Sequence, residues 1–142
     1  QDTGNEGLNA ALIKAVQECR EKEIRFRYVV MGRPDRIDSM DMGTLLYNLL
    51  SNGIEACMAV ETERELELVV REEDGTTEIF MENTISGSVL KNNPNLESRK
   101  QDKRYHGFGI ESIRGIIGKY QGHYSYREES GRFIQEIDLR DG

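Results

Sequence analysis

Three polar side chains recur within an otherwise apolar stretch of the sequence. Asn48, Asn52 and Glu55 are separated by four and three residues, so on a helix they project from one side. Asn is a mediocre helix former and is costly to bury without partners. A solvated helix face is the alternative, but such faces usually carry Lys, Glu and Gln, which favour helix more. The pattern favours two neutral oxygen ligands, Asn48 and Asn52, for a hard cation such as Mg²⁺, which keeps several waters and shares substrate phosphates.

A second candidate, Asn83, stands where a strand-like run passes into a loop. A side-chain carbonyl at such a position can accept a hydrogen bond from the exocyclic amine of a bound base. An Asn at a strand end is also a common turn former, so the position by itself leaves both interpretations open.

A glycine-containing turn, Gly107-Phe108-Gly109-Ile110, opens a predicted helix, where unpaired N–H groups and the helix dipole favour phosphate. It is not a dinucleotide fingerprint, because Ser112 stands where the third Gly belongs. The sequence also lacks a Walker-type motif, which excludes a P-loop enzyme. His106 borders the turn and either touches phosphate or serves only as a turn residue.

The charge is unevenly distributed. The chain carries a net charge of −7, which argues against non-specific nucleic-acid binding. Residues 88–106 contain five Lys or Arg against two Asp or Glu, a net charge of +3, which leaves −10 for the rest of the chain. This segment lacks periodicity, as functional lids often do. It is either an ordinary solvated charge run or a flexible basic flap that folds over polyphosphate.

Hydrophobic periodicity predicts the elements that must position these residues, in the order α β α β β, lid, α β β. The helices are expected at residues 5–23, 40–60 and 110–122, and the strands at residues 24–30, 66–70, 78–82, 124–127 and 133–139. Asn5 is the expected cap of the first helix, and Asp38 or Ser39 that of the second. Asp74-Gly75 predicts a type I′ hairpin turn. This order favours an α+β fold, with helices on one face of a mixed, largely antiparallel sheet.

Length and composition predict one domain, residues 1–142, of a soluble globular protein. No apolar run is long enough to span a bilayer, and the polar N-terminus is not a signal peptide. The missing initiator Met suggests a fragment of a longer protein. Cys19 and Cys57 are expected to be buried thiols in a reducing compartment.

The order of these signals resembles the Bergerat ATP-binding fold of DNA gyrase B subunits, Hsp90 chaperones, sensor histidine kinases and MutL proteins. The most specific part is residues 48–57, Asn-Leu-Leu-Ser-Asn-Gly-Ile-Glu-Ala-Cys, which resembles the N box of histidine kinases. Its Ile-Glu-Ala ending is most similar to kinases of the accessory-gene-regulator type, which sense peptides. The resemblance implies a two-layer α/β sandwich of the GHKL ATPase and kinase type, with an ATP lid at about residues 88–106.

The same resemblance implies ATP and Mg²⁺ as cofactors. Asn52 matches the Mg²⁺-binding Asn, and Asn48 the polar position one turn before it. Asn83 matches the Asp that contacts the adenine amino group, and Gly87 matches the second Gly of that box. The residues expected on the phosphate side are Lys103, Arg104, His106, Gly107, Gly109 and Ile110.

The sequence also departs from the family pattern. Gyrase-like ATPases carry a water-activating Glu where this chain has Asn48, which favours phosphoryl transfer to a protein over hydrolysis. Asn83 replaces Asp, and Ile85 replaces the first Gly of its box. Gly53 stands where Ala is common, at a cost of about 1 kcal/mol inside a helix. Glu55 replaces a Lys or Arg. Together these changes predict a weaker nucleotide affinity.

The resemblance therefore implies the ATP-binding catalytic domain of a bacterial two-component sensor histidine kinase. The γ-phosphoryl group would go to a His on a preceding dimerisation domain outside this chain, and a response regulator would be an indirect partner. We expect a cytoplasmic domain of a membrane-anchored kinase, itself without membrane or nucleic-acid contacts. The alternatives are an anti-sigma-factor-type Ser/Thr kinase of the same fold and a degenerate, non-catalytic binding module.

Overall fold

The computed structural model of the chain describes residues 2–91, 93–96 and 108–140. Within these ranges the chain forms three helices and five strands in the predicted order. The helices are α1 (Glu6–Glu21), α2 (Ser39–Met58) and α3 (Phe108–Lys119). The strands are β1 (Arg25–Met31), β2 (Glu65–Glu73), β3 (Thr76–Thr84), β4 (His123–Glu129) and β5 (Arg132–Arg140).

The strands form one mixed sheet in the order β1-β2-β3-β5-β4. β1 and β2 are parallel, and the other three pairings are antiparallel, as predicted. Asp74 and Gly75, which join β2 to β3, have φ angles of 51° and 82°. Two successive positive φ values are what a type I′ turn requires, so the predicted hairpin is confirmed.

All three helices pack on one face of the sheet: α1 contacts β1, α2 contacts β2 and β3, and α3 contacts β4 and β5. The core between the layers contains apolar residues of all three helices, together with alternate residues of the strands, but Met58 at the end of α2, also predicted to be buried, is exposed. Side chains alternate along a strand, so the residues between the core positions face away from the helices. Ion pairs such as Arg27–Glu67 and Arg127–Glu136 lie on that outer face. The fold is therefore the two-layer sandwich that was predicted.

Two capping side chains fix where helices begin. The Asn5 side chain accepts from the N–H of Leu8, and its Nδ2 donates to the carbonyl oxygens of Pro34 and Ile37 at 2.9 and 2.8 Å. Asn5 is therefore the predicted cap and also attaches the loop that precedes α2. Asp38, one of the two expected caps, caps α2 by accepting from the N–H groups of Met40 and Asp41.

The boundaries of the elements differ from the sequence prediction by one to three residues. α1 ends at Glu21 because Glu23 adopts a φ of 56° and the N–H of Ile24 bonds to the carbonyl of Cys19 at 2.8 Å, a Schellman-type ending without the usual Gly. β3 extends to Thr84, two residues further than expected.

Both cysteines are buried and free, as expected, and burial raises the pKa of the Cys19 thiol to about 12.

No helix in the described ranges is long and apolar enough to cross a bilayer.

Candidate functional site

The candidate site lies where the polar side of α2 meets the first turn of α3. Asn48 and Asn52 are half-buried on α2, beside its apolar face. A Cβ added to Gly109 would lie 3.6 Å from Asn48 Oδ1 and 3.6 Å from Asn52 Nδ2. The structure thus brings two predicted metal ligands and one predicted phosphate-binding Gly together. Because Gly109 has no side chain, a space remains between the two Asn amides and α3. Any side chain at position 109 would fill it.

The Asn48 amide has a defined orientation. Its Nδ2 donates to the carbonyl of Thr44, one turn earlier on α2, at 2.9 Å. That bond turns Nδ2 toward the backbone of α2, and Oδ1 is the amide atom that faces Gly109. An amide oxygen is a suitable ligand for a hard cation.

Asn83 lies inside β3, paired with Leu66 on one side and Phe133 on the other. The turn interpretation is therefore wrong, because turn propensity says little about a residue held in a sheet on both sides. Its side chain is only 2% exposed, and Nδ2 donates to the carbonyl of Thr84 at 3.2 Å. That bond fixes the orientation of the amide, and Oδ1, like a carboxylate oxygen, can only accept. This is the chemistry needed to meet an exocyclic amine.

Gly53 connects the Asn83 environment to α2. A Cβ at Gly53 would lie 3.5 Å from Asn83 Oδ1, but 2.8 Å from Leu66 Cδ1 and 3.2 Å from Met81 Cε. Leu66 and Met81 are fully buried, so α2 approaches the sheet too closely for a side chain here. The Gly that departs from the family pattern is therefore a packing requirement of this chain.

Two further predicted residues act through their backbones. Gly87 has a φ of 73° in an exposed turn, and an added Cβ would meet nothing within 4 Å. The conformation rather than close packing therefore explains the Gly. Ile110 packs its half-buried side chain against the core, so only its N–H group can face a ligand. The remaining predicted residues, Lys103, Arg104, His106 and Gly107, lie outside the described residues.

The residues that the structure brings together fit a magnesium nucleotide. Among the described residues there is no group of three or more His, Cys, Asp or Glu that could hold a metal ion. A cation beside Asn48 and Asn52 would therefore depend on amide oxygens, waters and the phosphates of its ligand, a set that suits Mg²⁺. Gly109, in the first turn of α3, lies beside the same amides, and the N–H groups of a first helical turn would favour those phosphates.

Sequence reasoning missed one residue near this region. Glu128 on β4 accepts hydrogen bonds from residues 88–90, directly after Gly87. A charged residue on a strand of alternating exposure carries no local signal that it binds a loop almost 40 residues away. Only the fold shows the contact.

Residues 37–140 match the family described as the GHKL domain. The chain belongs to the GHKL domain family. Comparison with curated proteins found no match. This GHKL domain is similar in structure to the catalytic domain of the histidine kinase ThkA, with a TM-score of 0.74 at 15% identity over 96% of this chain and 90% of that one.

Two further solved structures share the fold. The mycobacterial sensor histidine kinase MprB matches with a TM-score of 0.67 at 15% identity, covering 95% of this chain and 93% of that one. The histidine kinase domain of a blue-light activated kinase from Erythrobacter litoralis matches with a TM-score of 0.70 at 14% identity, covering 92% of this chain and 59% of that longer one.

These matches confirm the predicted α+β fold and its GHKL type. They are consistent with the ATP-binding role that the family has in sensor kinases. The accessory-gene-regulator subgroup remains a prediction.

Proposed function

We propose that this GHKL domain binds Mg-ATP as the catalytic domain of a bacterial sensor histidine kinase, of the accessory-gene-regulator type. The observation that supports it best is the meeting of Asn48, Asn52 and Gly109 at the first turn of α3. Buried Asn83, beside Gly53 on α2, offers an acceptor on the sheet side of the same helix.

In this proposal each residue has one task. The amide oxygens of Asn52 and Asn48 hold Mg²⁺, and Asn83 Oδ1 accepts a hydrogen bond from the adenine amino group. The phosphates lie against the first N–H groups of α3, at Gly109 and Ile110. Gly87 gives the loop after Asn83 its positive φ. On sequence grounds alone, Lys103, Arg104, His106 and Gly107 complete the phosphate side.

The chemistry proposed is phosphoryl transfer to a protein. Asn48 is an amide and cannot take a proton from water at neutral pH, so this position supplies no general base for hydrolysis. The γ-phosphoryl group would pass to a His on a dimerisation domain outside this chain. That domain would be the direct partner and a response regulator the indirect one, in a membrane-anchored kinase whose catalytic domain is cytoplasmic.

Isothermal titration calorimetry of the chain with ATP, in the presence and absence of Mg²⁺, tests the site. We expect Asn52→Ala to weaken Mg-ATP binding by at least about tenfold, because even residues that only support a metal ligand cost that much when changed. Without Mg²⁺ the same variant should bind ATP about as well as the wild type, because its lost contact is to the metal.

Gln17→Ala is the matched control, since Gln17 carries an amide on an exposed helical position of α1. It should bind Mg-ATP like the wild type. No binding by the wild-type chain would reject ATP as the ligand and favour the non-catalytic module. An equal loss with and without Mg²⁺ for Asn52→Ala would reject the metal role of Asn52.

A further inference from the structure

We infer that Glu128 is a positioning residue for the proposed nucleotide site, because its carboxylate holds the backbone that follows residues 85–87, the loop after β3. The inference rests on the proposed function in one respect, that this loop faces the nucleotide. It adds a residue from β4, an element to which the proposed function gives no role.

One carboxylate accepts from three consecutive residues. Glu128 Oε1 accepts from Ser88 Oγ at 2.7 Å, and Oε2 accepts from the N–H groups of Val89 and of Leu90, the latter at 2.8 Å. Partial burial acts to raise the pKa of Glu128, but the bonds from Ser88, Leu90 and Val89 outweigh it and lower that pKa. Glu128 is therefore ionised at neutral pH, and its bonds are charge-assisted.

The bound segment is itself a turn. Ser88 Oγ accepts from the N–H of Lys91 at 2.9 Å, and the carbonyl of Val89 accepts from the N–H of Asn93 at 3.1 Å. The N–H groups of Val89 and Leu90 would otherwise point out of the first half of this turn. Glu128 meets them as an anion meets the first N–H groups of a helix.

The hairpin of β4 and β5, to which Glu128 belongs, also holds the loop after β3 at a second point. The N–H of Ile85 donates to the carbonyl of Gly131, in the turn between β4 and β5, at 3.0 Å. Ser86 and Gly87 thus lie between two attachments to one hairpin. A short stretch with both ends fixed has few conformations available, so loss of one attachment frees the loop beside Asn83.

Further contacts continue the attachment toward residue 96. Tyr126 Oη donates to the carbonyl of Pro94 at 3.0 Å, and the Arg114 guanidinium donates to the carbonyl of Asn95 at 2.9 Å. Neither of these hydrogen bonds involves the N–H groups of residues 89 and 90. Glu128 is therefore the side chain whose removal should act first on the start of the segment.

The test compares Glu128→Ala with Glu128→Gln. Alanine removes the acceptor, whereas a Gln Oε1 can accept from both N–H groups and its Nε2 can donate to Ser88 Oγ. Glu129→Ala is the control, because Glu129 is the exposed neighbour on the same strand. Two quantities are measured: hydrogen exchange of the Val89 and Leu90 amides by NMR, and the affinity for Mg-ATP by calorimetry.

We expect Glu128→Ala to speed exchange of the two amides by about tenfold or more and to weaken Mg-ATP binding by about fivefold, the equivalent of one net hydrogen bond. Glu128→Gln should restore most of both quantities, and Glu129→Ala should change neither. Unchanged exchange in Glu128→Ala would overturn the anchoring, and faster exchange with wild-type affinity would overturn the positioning role. Failure of the wild type to bind ATP would instead reject the proposed function and, with it, the link from Glu128 to a nucleotide.

Discussion

At the scale of single residues, Gly53 determines how closely α2 approaches the sheet. Gly53→Ala gains about 1 kcal/mol of helix propensity but places a methyl group 2.8 Å from Leu66 Cδ1, where overpacking costs about 1–3 kcal/mol. We expect a net loss of roughly 1 kcal/mol in the free energy of unfolding, measured by urea denaturation. Gly115→Ala on α3 is the matched control, since its Cβ would meet nothing within 4 Å, and it should stabilise the protein.

A double-mutant cycle shows whether Leu66 causes the loss. Leu66→Val shortens the side chain that an Ala at position 53 would meet, so the two changes should compensate each other by about 0.5 kcal/mol or more. Strictly additive free energies of unfolding for the two changes would contradict the packing explanation.

For Gly109 we expect the reverse of Gly53: a substitution should leave the stability of the fold unchanged or slightly higher and should weaken ligand binding. A Cβ at Gly109 lies at ordinary contact distance from Asn48 and Asn52, 3.6 Å or more, so Gly109→Ala should keep or slightly raise the melting temperature. It would fill the space between the amides and α3, and we expect Mg-ATP binding to fall about tenfold, equivalent to about 1.4 kcal/mol. A variant that is equally stable and binds Mg-ATP as tightly as the wild type would place the phosphates elsewhere.

At the scale of elements, periodicity was enough to predict the helices and strands, because burial against one partner layer imposes a period of 3.6 or 2 on the sequence. It could not predict that α1 ends at Glu21, because that ending depends on a positive φ at a non-glycine residue, Glu23. Nor could it place Asn83 in β3, because its two strand neighbours come from distant parts of the chain. Contacts between distant elements, such as Glu128 with residues 88–90, leave no local pattern to detect.

One such long-range contact joins the beginning of α2 to the end of α3. Asp41 Oδ2 accepts from Lys119 Nζ at 2.7 Å and from Tyr120 Oη at 2.6 Å. The bond from Lys119, followed by that from Tyr120, lowers the pKa of Asp41 below its usual 3.8. A carboxyl group whose pKa is lower in the folded protein stabilises the fold above its unfolded pKa and loses that effect as the pH falls through the folded value.

Asp41→Asn should therefore destabilise the protein by about 1 kcal/mol at pH 7, a modest value because Lys119 is largely exposed and the pair is screened. The difference from the wild type should shrink below about pH 4 and vanish once Asp41 is protonated in the folded state. Urea denaturation across this pH range measures it, with the exposed loop variant Asp35→Asn as control. A constant difference at every pH would show that the charge of Asp41 is not involved.

At the scale of the whole molecule, the two layers separate structural and candidate functional surfaces. The sheet face away from the helices carries ion pairs, while Asn48, Asn52 and Gly109 lie on the helical side. Glu128 on β4 and Asn83 on β3 both pair with Phe133 of β5, so these residues lie in one row across the sheet. His123 lies at the start of β4, five residues before Glu128. At about 3.4 Å per residue, that places His123 roughly 17 Å along the sheet from the row of Asn83. Because side chains alternate along a strand, His123 also shares with Arg127 the sheet face away from the helices, opposite to the proposed phosphate site.

This separation predicts that the chain cannot phosphorylate His123. Incubation with radiolabelled Mg-ATP should leave the isolated chain without phosphohistidine, because transfer requires the attacking nitrogen to lie about 3–3.5 Å from the γ-phosphorus. Addition of a dimerisation domain that carries an acceptor His should produce an acid-labile label on that domain, whereas a label on an added Ser-bearing protein would favour the Ser/Thr kinase. His106, outside the described residues, is covered by the same assay through His106→Ala and His123→Ala. A label on the chain that either substitution abolishes would contradict the proposed transfer to a separate domain.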